Sequence, residues 1–166
     1  HRICTEYRGL NSKTRKDAYP LPRTDACLDA MSHASWFTTL DLRSSYTQLF
    51  VAEEDRPKTA FICSQGQFSY VRMPFGLACA PSTFQRLMDI VLSGLLFEQI
   101  LAYLDDIIIF SSTAEQNLER LEKVLIRLEE AGLKLKASKC EILQRQVTFL
   151  GHVLNPDGIF PNPEKV

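Results

Sequence analysis

The chain has 166 residues, 45% of them hydrophobic and 23% charged, and a formal net charge of −1. This is enough for one domain with a buried core, in the composition of an ordinary globular protein. The apolar runs, such as Ile107-Ile108-Ile109-Phe110, fall far short of the roughly 18 residues of a membrane span, so no membrane partner is expected. No signal-peptide pattern opens the chain, and it does not begin with Met, so it reads as a fragment. Five scattered cysteines lack metal-ligand spacing and read as isolated thiols of a reducing compartment.

Residues 1–23 are polar and punctuated by Pro20 and Pro22, which reads as loop or extended chain. Thr24 to Met31 predicts a short helix burying Leu28 and Met31. Trp36 to Leu42, rich in aromatic and β-favouring residues, predicts a strand. An acidic turn at Glu53 to Pro57 precedes two strands, Thr59–Cys63 and Gln67–Val71, joined as a hairpin by Ser64-Gln65-Gly66. Met73-Pro74-Phe75-Gly76 is a loop, and Pro81 suits the first turn of the helix that follows. The apolar face of that helix is Phe84, Leu87, Met88, Val91, Leu92 and Leu95.

A further helix starts near Thr113, which pairs with Gln116 as a capping box, and stops at Gly132. Its stripe reads Leu118, Leu121, Leu125 and Leu128. Val147 to Val153 predicts one more strand, and Pro156-Asp157-Gly158 a turn. Strands and helices mix, with hairpins among the strands, so the class is α+β with a largely antiparallel sheet packed on helices. With net charge near zero, any nucleic-acid surface must be local. The candidates are Arg8, Lys13, Arg15, Lys16 and Arg23, and later Lys134, Lys136, Lys139 and Arg145; each cluster also reads as a solvated face.

The chemistry concentrates at residues 99–112. Two apolar runs of strand length flank Asp105-Asp106, which predicts a β-hairpin with the two aspartates at its tip. Adjacent like charges beside apolar flanks are costly to ionise, and a cation relieves the repulsion. Carboxylates with open space beyond suit Mg²⁺. Asp41 ends another apolar strand, so neighbouring strands of one sheet would gather three carboxylates. Such a cluster can hold two metals roughly 4 Å apart, the arrangement for phosphoryl transfer.

Tyr103-Leu-Asp-Asp106, with Leu40-Asp-Leu-Arg-Ser-Ser-Tyr46 upstream, resembles the reverse transcriptases of long-terminal-repeat retrotransposons, in particular the Ty3/gypsy group. Further segments agree in order: Tyr7-Arg-Gly-Leu-Asn11, Tyr19-Pro-Leu-Pro-Arg23, Arg56-Pro-Lys-Thr-Ala-Phe61, Met73-Pro-Phe-Gly-Leu77, Ala80-Pro-Ser-Thr-Phe-Gln85, Ala131-Gly-Leu133, Ser138-Lys-Cys140 and Phe149-Leu-Gly-His152. The resemblance implies a right-hand polymerase: palm with partial fingers over residues 1–166, ending after the primer-grip hairpin, with the thumb outside the chain. The implied activity is RNA-directed DNA polymerase, adding deoxynucleotides to a primer 3′-end on an RNA or DNA template.

By the same resemblance, Asp41, Asp105 and Asp106 bind two Mg²⁺ ions, with Mn²⁺ as an alternative. Asp106 is expected to be the weaker ligand, because successive strand side chains point to opposite faces. Arg2, Tyr46, Phe75 and Gly76 match residues around the incoming deoxynucleoside triphosphate. Tyr46 lies under its sugar. Gln85 matches a helix residue near the template, and Phe149, Leu150, Gly151 and His152 the hairpin that steadies the primer. Lys136 or Lys139 matches a late lysine near the triphosphate.

Plainer roles stand beside these: Tyr46 as a core aromatic, Phe75 as a packing residue, Gln85 as a helix-surface amide, His152 as structural. Ser45 stands where the family usually has Gly, Thr47 where it often has His, and Thr5-Glu6 replaces Val-Asp. Ribonuclease H and integrase domains are expected in the same polyprotein, in an intracellular, cytoplasmic setting of virus-like particles. The alternative reading is an inactive truncated retroelement fragment with residual nucleic-acid binding.

Overall fold

The computed structural model describes residues 5–163. In chain order they form helices α1 (Arg8–Lys13) and α2 (Thr24–Ala30), strands β1 (Trp36–Asp41), β2 (Phe61–Cys63) and β3 (Gly66–Phe68), and helix α3 (Ala80–Val91). Strands β4 (Ile100–Tyr103) and β5 (Asp106–Ser111) follow, then helix α4 (Ala114–Glu130). Strands β6 (Glu141–Gln144), β7 (Val147–Phe149), β8 (His152–Asn155) and β9 (Gly158–Pro161) close the chain. Short 3-10 turns occupy Ser45–Gln48, Glu53–Thr59 and Ala137–Lys139. This is the α+β class that the sequence predicts.

Four strands make the central sheet in the order β4-β5-β1-β6, every neighbouring pair antiparallel. Both of its faces are covered. On one, Leu40, Ile107 and Ile109 pack with Phe84 and Met88 of α3 and Leu121, Val124 and Leu128 of α4. On the other, Phe37, Ile108 and Phe110 pack with Cys27 and Met31, and with Val147, Phe149 and Leu154 of the β7-β8-β9 sheet. A strand buried on both faces reads as a continuous apolar run, which explains Ile107-Ile108-Ile109-Phe110. Ile107, Ile108 and Ile109 have no exposed surface, and burying each stabilises the fold by about 1.5–3 kcal/mol.

Helix α4 begins as expected, with the Thr113 hydroxyl accepting the Gln116 N–H at 3.3 Å. It ends where Gly132, at φ +68°, donates its N–H to Glu129 O while Leu133 N–H returns to Leu128 O. Its buried face differs from the leucine stripe. Asn117, Leu121, Val124 and Leu128 point inward, and Leu118 and Leu125 remain 49% and 41% exposed. The cause is a buried polar joint. Thr38 Oγ1 donates to Asn117 Oδ1 at 2.6 Å, Asn117 Nδ2 donates to Trp36 O at 3.2 Å, and Leu143 N–H donates to Thr38 Oγ1 at 3.1 Å. The Asn117 amide thereby ties α4 to β1, and the Thr38 hydroxyl carries the tie on to β6.

Four further expectations change. The segment read as loop contains α1, whose Asn11 clamps the 76–78 loop: its Nδ2 donates to Gly76 O and its Oδ1 accepts from Ala78 N–H. The strand read over Val147 to Val153 breaks into β7 and β8 at Leu150-Gly151, both at positive φ (+48° and +78°). That is the signature of a primed two-residue hairpin turn. The hairpin β2–β3 is shorter than expected, with Cys63 already paired to Gly66. In α2, Cys27 takes the fully buried position and Leu28 is partly covered.

Candidate active site

The β4–β5 hairpin closes through a two-residue turn, Leu104-Asp105, between the paired residues Tyr103 and Asp106. Leu104 sits at φ +55°, a region uncommon for any residue but glycine. Asp105 therefore lies in the turn itself, and Asp106 is the first residue of β5. The register of β1 on β5 sets Asp41 directly opposite Asp106. Directly opposed residues share a face of the sheet. Strand alternation between the successive Asp105 and Asp106, expected from the sequence, does not apply, because Asp105 lies in the turn rather than on the strand; what distinguishes Asp106 is its exposure to solvent. Two main-chain bonds lock this end: Leu42 N–H donates to Asp105 O at 3.2 Å, and Lys136 N–H donates to Asp41 O at 2.8 Å.

A cation already sits among these charges. Lys139 Nζ lies 2.9 Å from Asp41 Oδ2, whose side chain is 18% exposed. The ammonium's pKa is raised, first by that hydrogen bond, then by the charge of Asp41 and, more weakly, of Asp105 and Asp106. Of the two lysines left open by the sequence, Lys139 is the one that reaches the aspartates through its side chain; Lys136 does so through its backbone. Among the described residues, no three acidic, His or Cys side chains are drawn together tightly enough to form a coordination cluster. The chemistry of the donor set nevertheless fits a hard divalent cation: carboxylate oxygens on a rigid strand end, in a negative field that holds an ammonium.

The three aspartates line an open cleft of about 710 Å³ together with Lys139, Glu141, Phe149, Leu150 and Gly151. The β7–β8 turn and the aspartates thus share one cleft. His152 is not part of that lining; its Nδ1 lies 3.1 Å from Leu150 O, inside its own hairpin.

Tyr46 stands on the other side of the hairpin. After Asp41 the chain turns through Ser44, at φ +48°, into the Ser45–Gln48 turn. The Tyr46 ring packs edge-on against Phe75 (5.6 Å between centroids) and Phe84 (5.8 Å). Burial, and secondarily the charge of Asp105, push its phenol pKa up. Tyr46, Phe75 and Asp105 are therefore neighbours. Gly76, at φ +94°, is held by Asn11 and lies against Tyr7 and the Thr5 carbonyl. Gln85 is not a helix-surface amide: it is completely buried beneath the hairpin. Arg2 lies outside the described residues. Asn11 and Asn117 escaped the sequence reading. Asn117 has a readable signal, since it continues the Leu121, Val124, Leu128 stripe at helical spacing.

The family model "Reverse transcriptase (RNA-dependent DNA polymerase)" matches residues 1–154, and the chain belongs to that family. Relatives bear out the Ty3/gypsy-type resemblance. The chain is 46% identical over 166 residues to the retrovirus-related Pol polyprotein from transposon 297 of Drosophila melanogaster, covering all of this chain and 16% of that protein. It is 38% identical over 165 residues to the Pol polyprotein from transposon gypsy of the same fly, covering 99% of this chain and 16% of the relative. With the transposon Tf2-3 polyprotein of Schizosaccharomyces pombe it shares 33% over 165 residues, covering 99% of this chain and 12% of the relative.

Among solved structures, the foamy viral protease–reverse transcriptase in complex with RNA/DNA hybrid superposes at TM-score 0.87 with 26% identity, over 96% of this chain and 21% of that one. The foamy viral enzyme with double-stranded DNA gives 0.89 and 26%, over 96% of this chain and 28% of that one. The four-stranded sheet with α3 and α4 is accordingly the palm, and the β2–β3 region belongs to the fingers. The chain spans less than a third of each of these proteins.

Proposed function

We propose that this chain is the palm and part of the fingers of an RNA-directed DNA polymerase that extends a primer 3′-end by two-metal phosphoryl transfer. The observation that carries the reading is that Asp41, Asp105 and Asp106 line one cleft with the β7–β8 turn. Asp41 and Asp105 would hold Mg²⁺, or Mn²⁺ in its place, with Asp106 completing the charge. Bound divalent ions supply the positive charge that activates a hydroxyl nucleophile and steadies a pyrophosphate leaving group.

The chain's own residues do the rest. Phe149, Leu150 and Gly151 hold the primer end, on a turn whose left-handed backbone fixes its shape. Tyr46, wedged against Phe75 and Phe84, presents its ring beneath the sugar and leaves no room for a 2′-hydroxyl. Lys139 has to release Asp41 when a metal binds, which frees an ammonium for the triphosphate. The partners are a template–primer duplex and deoxynucleoside triphosphates, with ribonuclease H and integrase domains in the same polyprotein.

The test is single-nucleotide extension of an RNA-templated DNA primer by the polymerase that carries this chain. Wild type is expected to extend in Mg²⁺ with deoxynucleotides and to reject ribonucleotides, and Asp105→Asn to extend with neither. An Asp105→Asn protein that extends at the wild-type rate would refute the assignment.

A further inference from the structure

We propose that Gln85 is a positioning residue for the aspartate turn: its side-chain amide takes the place of a neighbouring strand along the outer edge of β4 and so fixes where Asp105 sits. This rests on the polymerase reading above, but its physical core does not depend on catalysis.

Strand β4 is an edge of the four-stranded sheet, so every second N–H and C=O of its backbone points away from β5. Leu96 covers the start of that edge through a parallel bridge to Ile100. Further along, Gln85 takes over. Its Nε2 donates to Ala102 O at 3.0 Å, and its Oε1 accepts from Leu104 N–H at 2.8 Å. Bonding the carbonyl of residue i and the N–H of residue i+2 is what one residue of a parallel strand would do. The amide supplies both bonds from a single plane, inside the core, with no exposed surface of its own.

The polarity of the two backbone groups is fixed, so the residue type is fixed as well. The site needs one acceptor and one donor on a planar group at the reach of three side-chain carbons. Ionised glutamate cannot donate, methionine can do neither, and asparagine is one methylene too short. The second Nε2 proton goes to Asp89 Oδ1 at 2.9 Å, one helical turn along α3, and Asp89 Oδ2 takes the Tyr19 hydroxyl proton at 2.5 Å. The amide is therefore held from behind as well as in front.

The residue it grips is the strained one. Leu104 adopts φ +55° as the first residue of the turn and is followed directly by Asp105. Released from Gln85, Leu104 is free to relax toward negative φ, which would re-aim Asp105 away from Asp41. Gln85 touches no reacting atom in this scheme; it acts through the turn.

The experiment compares wild type and Gln85→Met in the polymerase that carries this chain, by two readouts. The first is amide hydrogen exchange without substrates. Protection at Leu104 is expected to fall by about tenfold or more while Ile107, Ile108 and Ile109 stay within about twofold. The second is single-turnover nucleotide addition. The rate constant is expected to fall by about tenfold or more with the dissociation constant for template–primer unchanged. An unchanged rate constant, or unchanged Leu104 protection, overturns the proposal. A weakened template–primer affinity at an unchanged rate also overturns it and makes Gln85 a template contact. If Gln85→Met does not fold, Gln85→Asn carries the test, since it keeps the donor and the acceptor but stops one methylene short of the β4 edge; the same two losses are expected, and their absence overturns the proposal. A wild-type protein with no polymerase activity would defeat the functional reading alone, because the exchange measurement still decides what Gln85 does.

Discussion

The palm sheet and the fingers hairpin are built from similar residues and held in opposite ways. In the palm, β1 and β5 pair over six residues from Trp36↔Ser111 to Asp41↔Asp106, and side chains on both faces are buried. In the fingers, β2 and β3 pair over three residues, Ile62 is 81% exposed, and the principal side-chain pairing is the stack of Phe61 on Phe68 and Tyr70. A short two-stranded ribbon is marginal by itself, whereas a sheet packed on two sides resists deformation. The groups that must hold carboxylates at fixed spacing stand on the second kind of element. Tyr46 lies at the seam: its ring touches Phe84 of the palm helix and Phe75 of the loop that follows the fingers.

The largest effect that would break this division is chemical. Asp41→Asn and Asp105→Asn are expected to lower nucleotide addition by about 10³-fold or more, and Asp106→Asn, exposed at the strand end, by less. Single-turnover extension rates check this, and a functional Asp41→Asn protein would remove the sheet end from the mechanism. Next comes stability. Ile108→Ala opens a cavity between the sheet and the β7-β8-β9 layer and should destabilise the protein by about 2–5 kcal/mol. Ile62→Ala, on the exposed ribbon, should stay within about 0.5 kcal/mol. Urea unfolding of both variants checks the contrast, and equal losses would erase it. The seam gives the smallest of these effects. Tyr46→Val should raise ribonucleotide use relative to deoxynucleotide use by about tenfold while leaving metal affinity unchanged. A ratio that does not move would leave Tyr46 as a core aromatic.

The palm was legible wherever its residues obey a local rule. Two β-favouring apolar runs around Asp105-Asp106 announce a hairpin, and Thr113 and Gly132 bracket α4 by capping chemistry. What escaped is polar and buried. Gln85 and Asn117 sit in helices, where an amide ordinarily faces water; Asn117 lies at the spacing of the buried stripe, but the partners that satisfy the two are tertiary: the outer edge of β4 for one, Thr38 for the other. Leu150 hid the β7–β8 turn, because a leucine at positive φ carries no turn signal and Gly151 alone had to mark it. The choice between Lys136 and Lys139 was closed to the sequence for a similar reason, since both follow the same helix and only the packing of the Ala137–Lys139 turn aims one ammonium at Asp41. In the fingers, the hairpin was visible but its length was not, because nothing buried limits it.

The claim that the sheet end is a cation site answerable to Asp41 and Asp105 is open to one direct measurement that needs neither primer nor nucleotide. Mn²⁺ binding, followed by electron paramagnetic resonance of the free ion, is to be compared in wild type, Asp41→Asn, Asp105→Asn and Lys139→Gln. Each aspartate variant is expected to bind Mn²⁺ at least about tenfold more weakly than wild type. Lys139→Gln, which frees Asp41 from its tethered ammonium, is expected to bind several-fold more tightly. Equal affinity in wild type and the two aspartate variants would contradict the assignment of the site.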